Sequence, residues 1–111
     1  MMNVGIDILE VTSIPSYERM EEMTFFYNNF TKREITYASS KKNPTIEFAR
    51  LFSIKESLVK AKNLLKKMNF NQINLIESRG SISYPNSTIS SSVSNNVCIS
   101  VVINYDNQYL D

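Results

Sequence analysis

Histidine is absent from the 111 residues. Its absence excludes a Ser-His-Asp triad, a Cys-His nucleophile pair and any histidine-ligated zinc site. Cysteine occurs once, at Cys98, so no internal disulfide can form and a reducing compartment fits. Flanked by Val97, Ile99 and Val101, that cysteine reads as a core residue rather than a reactive thiol. Excess charge is also lacking. Twelve Lys and Arg against eleven Asp and Glu give a net charge of +1, which argues against a protein dominated by phosphate-backbone contacts. Lys60, Lys62, Lys66 and Lys67 make only a weak basic stripe, so no nucleic-acid partner is expected. No apolar run reaches membrane-spanning length, and no basic segment followed by an apolar one opens the chain. The expectation is a cytoplasmic protein without a membrane partner, with the glycosylation-like triplets at Asn29 and Asn86 coincidental.

What is present is enough for one domain, residues 1–111. A mixed domain of this size often gains stability by oligomerising. Val4, Ile6 and Ile8 alternate with Gly5, Asp7 and Leu9, the period of a strand. Pro15 and polar Thr12-Ser13 predict that a helix begins by about Ser16 and runs through Tyr17, Met20, Met23 and Phe26 or Tyr27. Thr31 with Glu34 three residues on has the form of a capping box, so a second short helix starts there. After a loop at 39–43, Pro44 opens a long central helix. Its apolar stripe is Leu51, Ile54, Leu58, Ala61 and Leu65, and Lys66-Lys67 suit its C-terminal end. Phe70, Ile73, Leu75 and Ile76 predict a strand, Arg79-Gly80 a turn, 82–84 a second strand and 97–103 a third. The serine-rich stretch 87–96 has no clear assignment, and the tail from Asn104 is polar.

Two segments point at chemistry. Asp7 stands between Ile6 and Ile8, where strand propensity disfavours it. Either it faces water from an edge strand, or it is held by a partner or a metal. Glu56 lies on the helix face opposite the apolar stripe, with Lys60 one turn on and Lys55 beside it. An ordinary surface pair would be worth a few tenths of a kcal/mol, on the order of 0.3. Phe52 and Val59 flank Glu56, however, so this face is not plainly solvated. Carboxylates with nearby lysines suit magnesium bridging phosphates, because magnesium keeps waters and takes substrate oxygens.

Together the motifs resemble the holo-acyl-carrier-protein synthase family of the 4′-phosphopantetheinyl transferase superfamily, as a divergent member. Gly5-Ile6-Asp7-Ile8-Leu9-Glu10-Val11 is similar to that family's opening strand, and Phe30-Thr31-Lys32-Arg33-Glu34 to its Phe/Leu-Thr-x-x-Glu element. Phe52-Ser53-Ile54-Lys55-Glu56-Ser57 with Lys60-Ala61 resembles its signature helix, and 70–75 followed by Gly80 its next strand and turn. The resemblance implies an α+β fold, a long central helix packed on an antiparallel sheet. It also implies magnesium-dependent transfer of 4′-phosphopantetheine from coenzyme A to a serine of an apo acyl carrier protein, by a homotrimer with sites between subunits. Asp7 and Glu56 would hold the metal. Glu56 and Lys60 would act in catalysis, and Lys55, Lys60 and Arg50 would contact coenzyme A.

The chain departs from the family at several places. Ser13 and Asn28 stand where the family has arginines, and Leu51 where it has the arginine before the signature phenylalanine. Lys62-Asn63-Leu64-Leu65 replaces a glycine-rich segment, and a late histidine motif aligns with Ser90-Ser91-Ser92-Val93. The alternative reading is a member that has lost transfer and acts as a coenzyme A-binding or structural subunit.

Overall fold

The computed structural model describes residues 2–18 and 23–106. Strand β1 (Asn3–Glu10) is followed by a single 3-10 turn at Val11–Ser13. Three helices come next: α1 (Met23–Asn29), α2 (Lys32–Ser39) and α3 (Pro44–Ala61). The hairpin β2 (Ile76–Ser78) and β3 (Ser81–Ser83) precedes the longer strands β4 (Ser87–Ser94) and β5 (Val97–Asn104). The main sheet is antiparallel with order β1-β5-β4, and α3 lies across it. This is the α+β arrangement of a long central helix on an antiparallel sheet.

The predicted stripe of α3 is the core. Leu51, Ile54, Leu58, Ala61 and Leu65 are all buried, and a cluster of Phe26, Phe30 and Phe48 closes the side under α1. Thr31 caps α2 as expected: its hydroxyl accepts from Glu34 N at 3.1 Å, and Glu34 Oε1 accepts from Thr31 N at 2.8 Å. Cys98 is buried, and burial pushes its thiol pKa up, so the core assignment holds.

Several expectations are corrected. Residues 14–18 are not helical, and α1 is described only from Met23; Met20 lies outside the described residues. The central helix stops at Ala61 instead of reaching Lys66-Lys67. Lys62 is extended where its ammonium pairs with Asp106, and a 3-10 turn at Asn63–Lys67 then returns Leu65 to the core. Residues 70–72 form a 3-10 turn rather than a strand, because Asn69 and Gln72 cap each other across it. The unassigned serine-rich stretch is β4. It joins β5 through Asn95-Asn96, whose φ values of 50° and 67° suit the tight hairpin turns that asparagine tolerates.

The facing of β1 is also inverted from its apolar pattern. Val4, Ile6 and Ile8 are 56%, 54% and 67% exposed, while Gly5, Asp7 and Leu9 turn toward α3. Gly5 is what lets the helix come so near. A Cβ there would sit 1.8 Å from Ser57 O and 2.9 Å from Ala61 N, so strand and helix meet backbone to backbone.

Candidate functional site

The close seat of α3 on β1 brings Asp7 and Glu56 into electrostatic contact. Burial, and next the Asp7 charge, push the Glu56 pKa above its ordinary value, while Lys60 pulls it down. Asp7 is only 13% exposed, and one of its oxygens, Oδ2, is buried without a hydrogen-bond partner. Its other oxygen lies 3.3 Å from Lys60 Nζ, which also donates to Ile6 O at 2.9 Å. At 52% exposed, that lysine side chain reaches round the free edge of β1 with room to move. Asp7 is thus on an edge strand, yet it faces the helix rather than water.

The donor chemistry suits a hard cation. Two carboxylates interact electrostatically, one with a buried oxygen that nothing satisfies and one carrying raised proton affinity. Among the described residues no group of three or more Asp, Glu, Cys or His comes together, so these residues could supply at most two such ligands here. Magnesium tolerates that, since it commonly takes one or two carboxylates and fills its octahedron with water and substrate oxygens.

Lys55 does not belong to this site. It is fully buried, and its ammonium donates to Asn29 O at 2.9 Å, Glu34 Oε1 at 2.6 Å and Phe70 O at 2.7 Å. Those three bonds use all its protons. Glu34 in turn accepts from Leu75 N at 2.8 Å through its second oxygen, so the pair ties α1, α2, α3 and the 69–75 segment together. The expectation that Lys55 contacts coenzyme A is therefore corrected: adjacent residues of a helix point about 100° apart, and Lys55 turns inward where Glu56 turns to the sheet edge. Burial lowers the Lys55 pKa, opposed by the Glu34 charge.

Arg50 lies on the other flank of α3. Its Nε donates to Ser91 Oγ at 2.8 Å, its Nη1 to Glu47 at 2.7 Å and its Nη2 to Gly80 O at 3.4 Å. Ser91 is two strands from Asp7, since Ser91 pairs with Ser100 and Ser100 with Asp7. That separates the two flanks by roughly 9–10 Å of sheet. Tyr37 completes the Arg50 group by donating to Glu47 Oε2 at 2.8 Å; burial and Glu47 push the tyrosine pKa up to about 12. No sequence signal marked Tyr37 or Glu47, because their link spans two helices.

Two depressions among the described residues contain neither Asp7 nor Glu56. One, of about 230 Å³, lies between α2, α3 and the β2–β3 hairpin and is lined by Arg33, Tyr37, Leu51 and Ile82 among others. The second follows residues 11–16 beside Thr45. The carboxylate pair instead stands at an open sheet edge, next to the exposed apolar face of β1.

Comparison with known proteins agrees with this architecture. The family model for the 4′-phosphopantetheinyl transferase superfamily matches residues 3–102. A holo-[acyl-carrier-protein] synthase of Carboxydothermus hydrogenoformans is 37% identical over 78 residues, 68% of this chain and 63% of that relative. One from Thermodesulfovibrio yellowstonii is 38% identical over 71 residues, 63% of this chain and 62% of the relative. These alignments span less than two thirds of each relative's length. Among solved structures, a Bacillus anthracis holo-(acyl-carrier-protein) synthase in complex with CoA (3′,5′-ADP) is similar with a TM-score of 0.72 at 25% identity, covering 93% of this chain and 96% of that one. The coenzyme A complex of the Chronobacterium ammoniagenes enzyme shares the fold with a TM-score of 0.77 at 17% identity, covering 96% and 99%. With the family model spanning nearly the whole described fold, from β1 into β5, the chain belongs to the 4′-phosphopantetheinyl transferase superfamily.

Proposed function

We propose that the chain transfers 4′-phosphopantetheine from coenzyme A to a serine of an apo acyl carrier protein, with magnesium at Asp7 and Glu56. The observation that carries this reading is the orphaned, buried Asp7 Oδ2 beside a second carboxylate, in a chain of this superfamily. Bound there, magnesium would neutralise pyrophosphate oxygens and polarise the transferred phosphorus. The serine oxygen forms a bond to that phosphorus, and the bond to adenosine 3′,5′-bisphosphate breaks. A water held by the metal or by Glu56 would take the serine proton. Lys60 is exposed enough to leave Ile6 O and meet the phosphate charge that grows on the departing nucleotide. Arg50 is held by Ser91, Glu47 and Gly80 through three of its five N–H groups, so it could contact coenzyme A only with the two that remain or by giving up a partner.

The unit that works is a homotrimer. A row of exposed Val4, Ile6 and Ile8 on β1 continues to Ile99 on β5, and such an apolar face beside an open site favours burial against further copies. The alternative, a coenzyme A-binding or structural subunit without transfer, draws support from Leu51, buried in the core where the family's arginine would stand. The test is direct. The protein is mixed with coenzyme A, magnesium and apo carrier proteins of its own organism, and carrier mass is followed. A mass gain of one phosphopantetheine that disappears in Asp7→Ala and Glu56→Ala is the expected result. Magnesium-dependent coenzyme A binding with no mass gain would replace transfer by the coenzyme A-binding reading, and neither would leave only the structural one.

A further inference from the structure

Helix α3 presents a row of small residues to the sheet: Ala49, Ser53, Ser57 and Ala61, four apart and all buried. Such a row allows close approach, but it offers few bulky knobs to fix where along the sheet the helix stops. On this chain three hydroxyls meet at that contact. Ser100 Oγ on β5 lies 2.8 Å from Ser53 Oγ and 2.6 Å from Ser57 Oγ, and it donates to Ser53 O at 2.9 Å. With its proton on Ser53 O, Ser100 accepts from both other serines, which uses its full hydrogen-bonding capacity. Ser57 Oγ has a further acceptor in Ser100 O at 3.2 Å.

The cluster stands one step from each carboxylate. Ser100 is the register partner of Asp7, and Ser57 directly follows Glu56. Ser53 and Ser57 can straddle Ser100 in only one axial position of the helix. A slip of one turn, about 5.4 Å, would put Lys60 or Phe52 where Glu56 now meets Asp7. We propose that Ser53, Ser57 and Ser100 are positioning residues that lock the register of α3 on β5 and thereby set the separation of Asp7 and Glu56. The consequence for binding rests on the cation site proposed above, whereas the lock itself is a statement about the fold.

The discriminating variant is S53A/S57A/S100A. Replacing all three partners by apolar groups leaves no unsatisfied hydroxyl, so thermal stability is expected to stay near that of the parent chain. Manganese, read by electron paramagnetic resonance, serves as the probe. Its dissociation constant is expected to rise about tenfold in the triple variant, the low end of what losing groups that orient metal ligands costs in affinity. Ser100→Ala alone, which leaves Ser57 its bond to the Ser100 carbonyl, should give a smaller rise and serves if the triple variant does not fold. Manganese affinity unchanged within twofold, in whichever of these folds, overturns the lock. If the parent chain binds no manganese, or Asp7→Asn leaves binding intact, the cation-site reading fails instead. Crystal structures of parent and variant then decide the lock: an altered Asp7–Glu56 carboxylate separation supports it, and an unchanged one overturns it.

Discussion

Lys55 and Glu56 are neighbours in sequence and opposites in circumstance. Lys55 is buried with Glu34, and every proton and oxygen of that pair has a partner. Glu56 is half-buried beside Asp7, a carboxylate of the same sign whose Oδ2 is left unsatisfied. The first arrangement is complete and holds elements together. The second is incomplete, and the proposed cation would complete it. Among charged groups inside this fold, satisfaction separates structure from function better than burial does.

The comparison breaks most visibly through Lys55. Lys55→Met leaves Glu34 buried without its cation, and a loss of about 3–5 kcal/mol is expected in denaturant unfolding. Glu34→Gln together with Lys55→Met should cost less than Lys55→Met alone. If removing Lys55 proves harmless, its assignment as an internal strut fails. Next comes Gly5→Ala. The new methyl would meet the Ser57 carbonyl, and forcing the helix away is expected to cost about 1–3 kcal/mol and to weaken cation binding as well. A smaller effect tests the other end of the strut: Thr31→Ala removes the cap that orients Glu34, with an expected loss of about 1 kcal/mol by the same measurement.

The smallest effect has the opposite sign. In the metal-free protein the folded Glu56 pKa lies above its unfolded value, so the unfolded state holds fewer protons between the two. Stability therefore falls as pH rises through that window and stays lowered above it. Glu56→Gln removes the penalty. Its melting temperature is expected to exceed that of the parent chain slightly at neutral pH, with the difference vanishing below the ordinary glutamate range. A melting temperature lowered at neutral pH would place Glu56 among the structural charges, beside Lys55.

Much of this was readable from residue order. The Thr31–Glu34 cap, Pro44 at the start of α3, the Leu51–Leu65 stripe and the Asp7 and Glu56 carboxylates all rest on local rules of spacing and propensity. What escaped depends on distant partners. Nothing near Lys55 announces that Asn29, Glu34 and Phe70 converge on its ammonium. The stretch 60–67 is good helix sequence, and its break at Lys62 coincides with a pairing to Asp106, forty-four positions on. Strand β1 misleads because its apolar residues face outward while glycine and aspartate face the helix, an order that only the close seat on Ser57 explains. The two-asparagine turn at 95–96 was a usable hairpin signal masked by the serines before it.

If Asp7 and Glu56 form a cation site that serves coenzyme A, coenzyme A binding depends on the metal. Calorimetric titration of coenzyme A into the protein, with and without magnesium, tests it most directly. Binding is expected to depend on magnesium in the parent chain and to be lost in Asp7→Asn and Glu56→Gln, both still folded. Binding of equal strength without magnesium, or undiminished in the two variants, would contradict it.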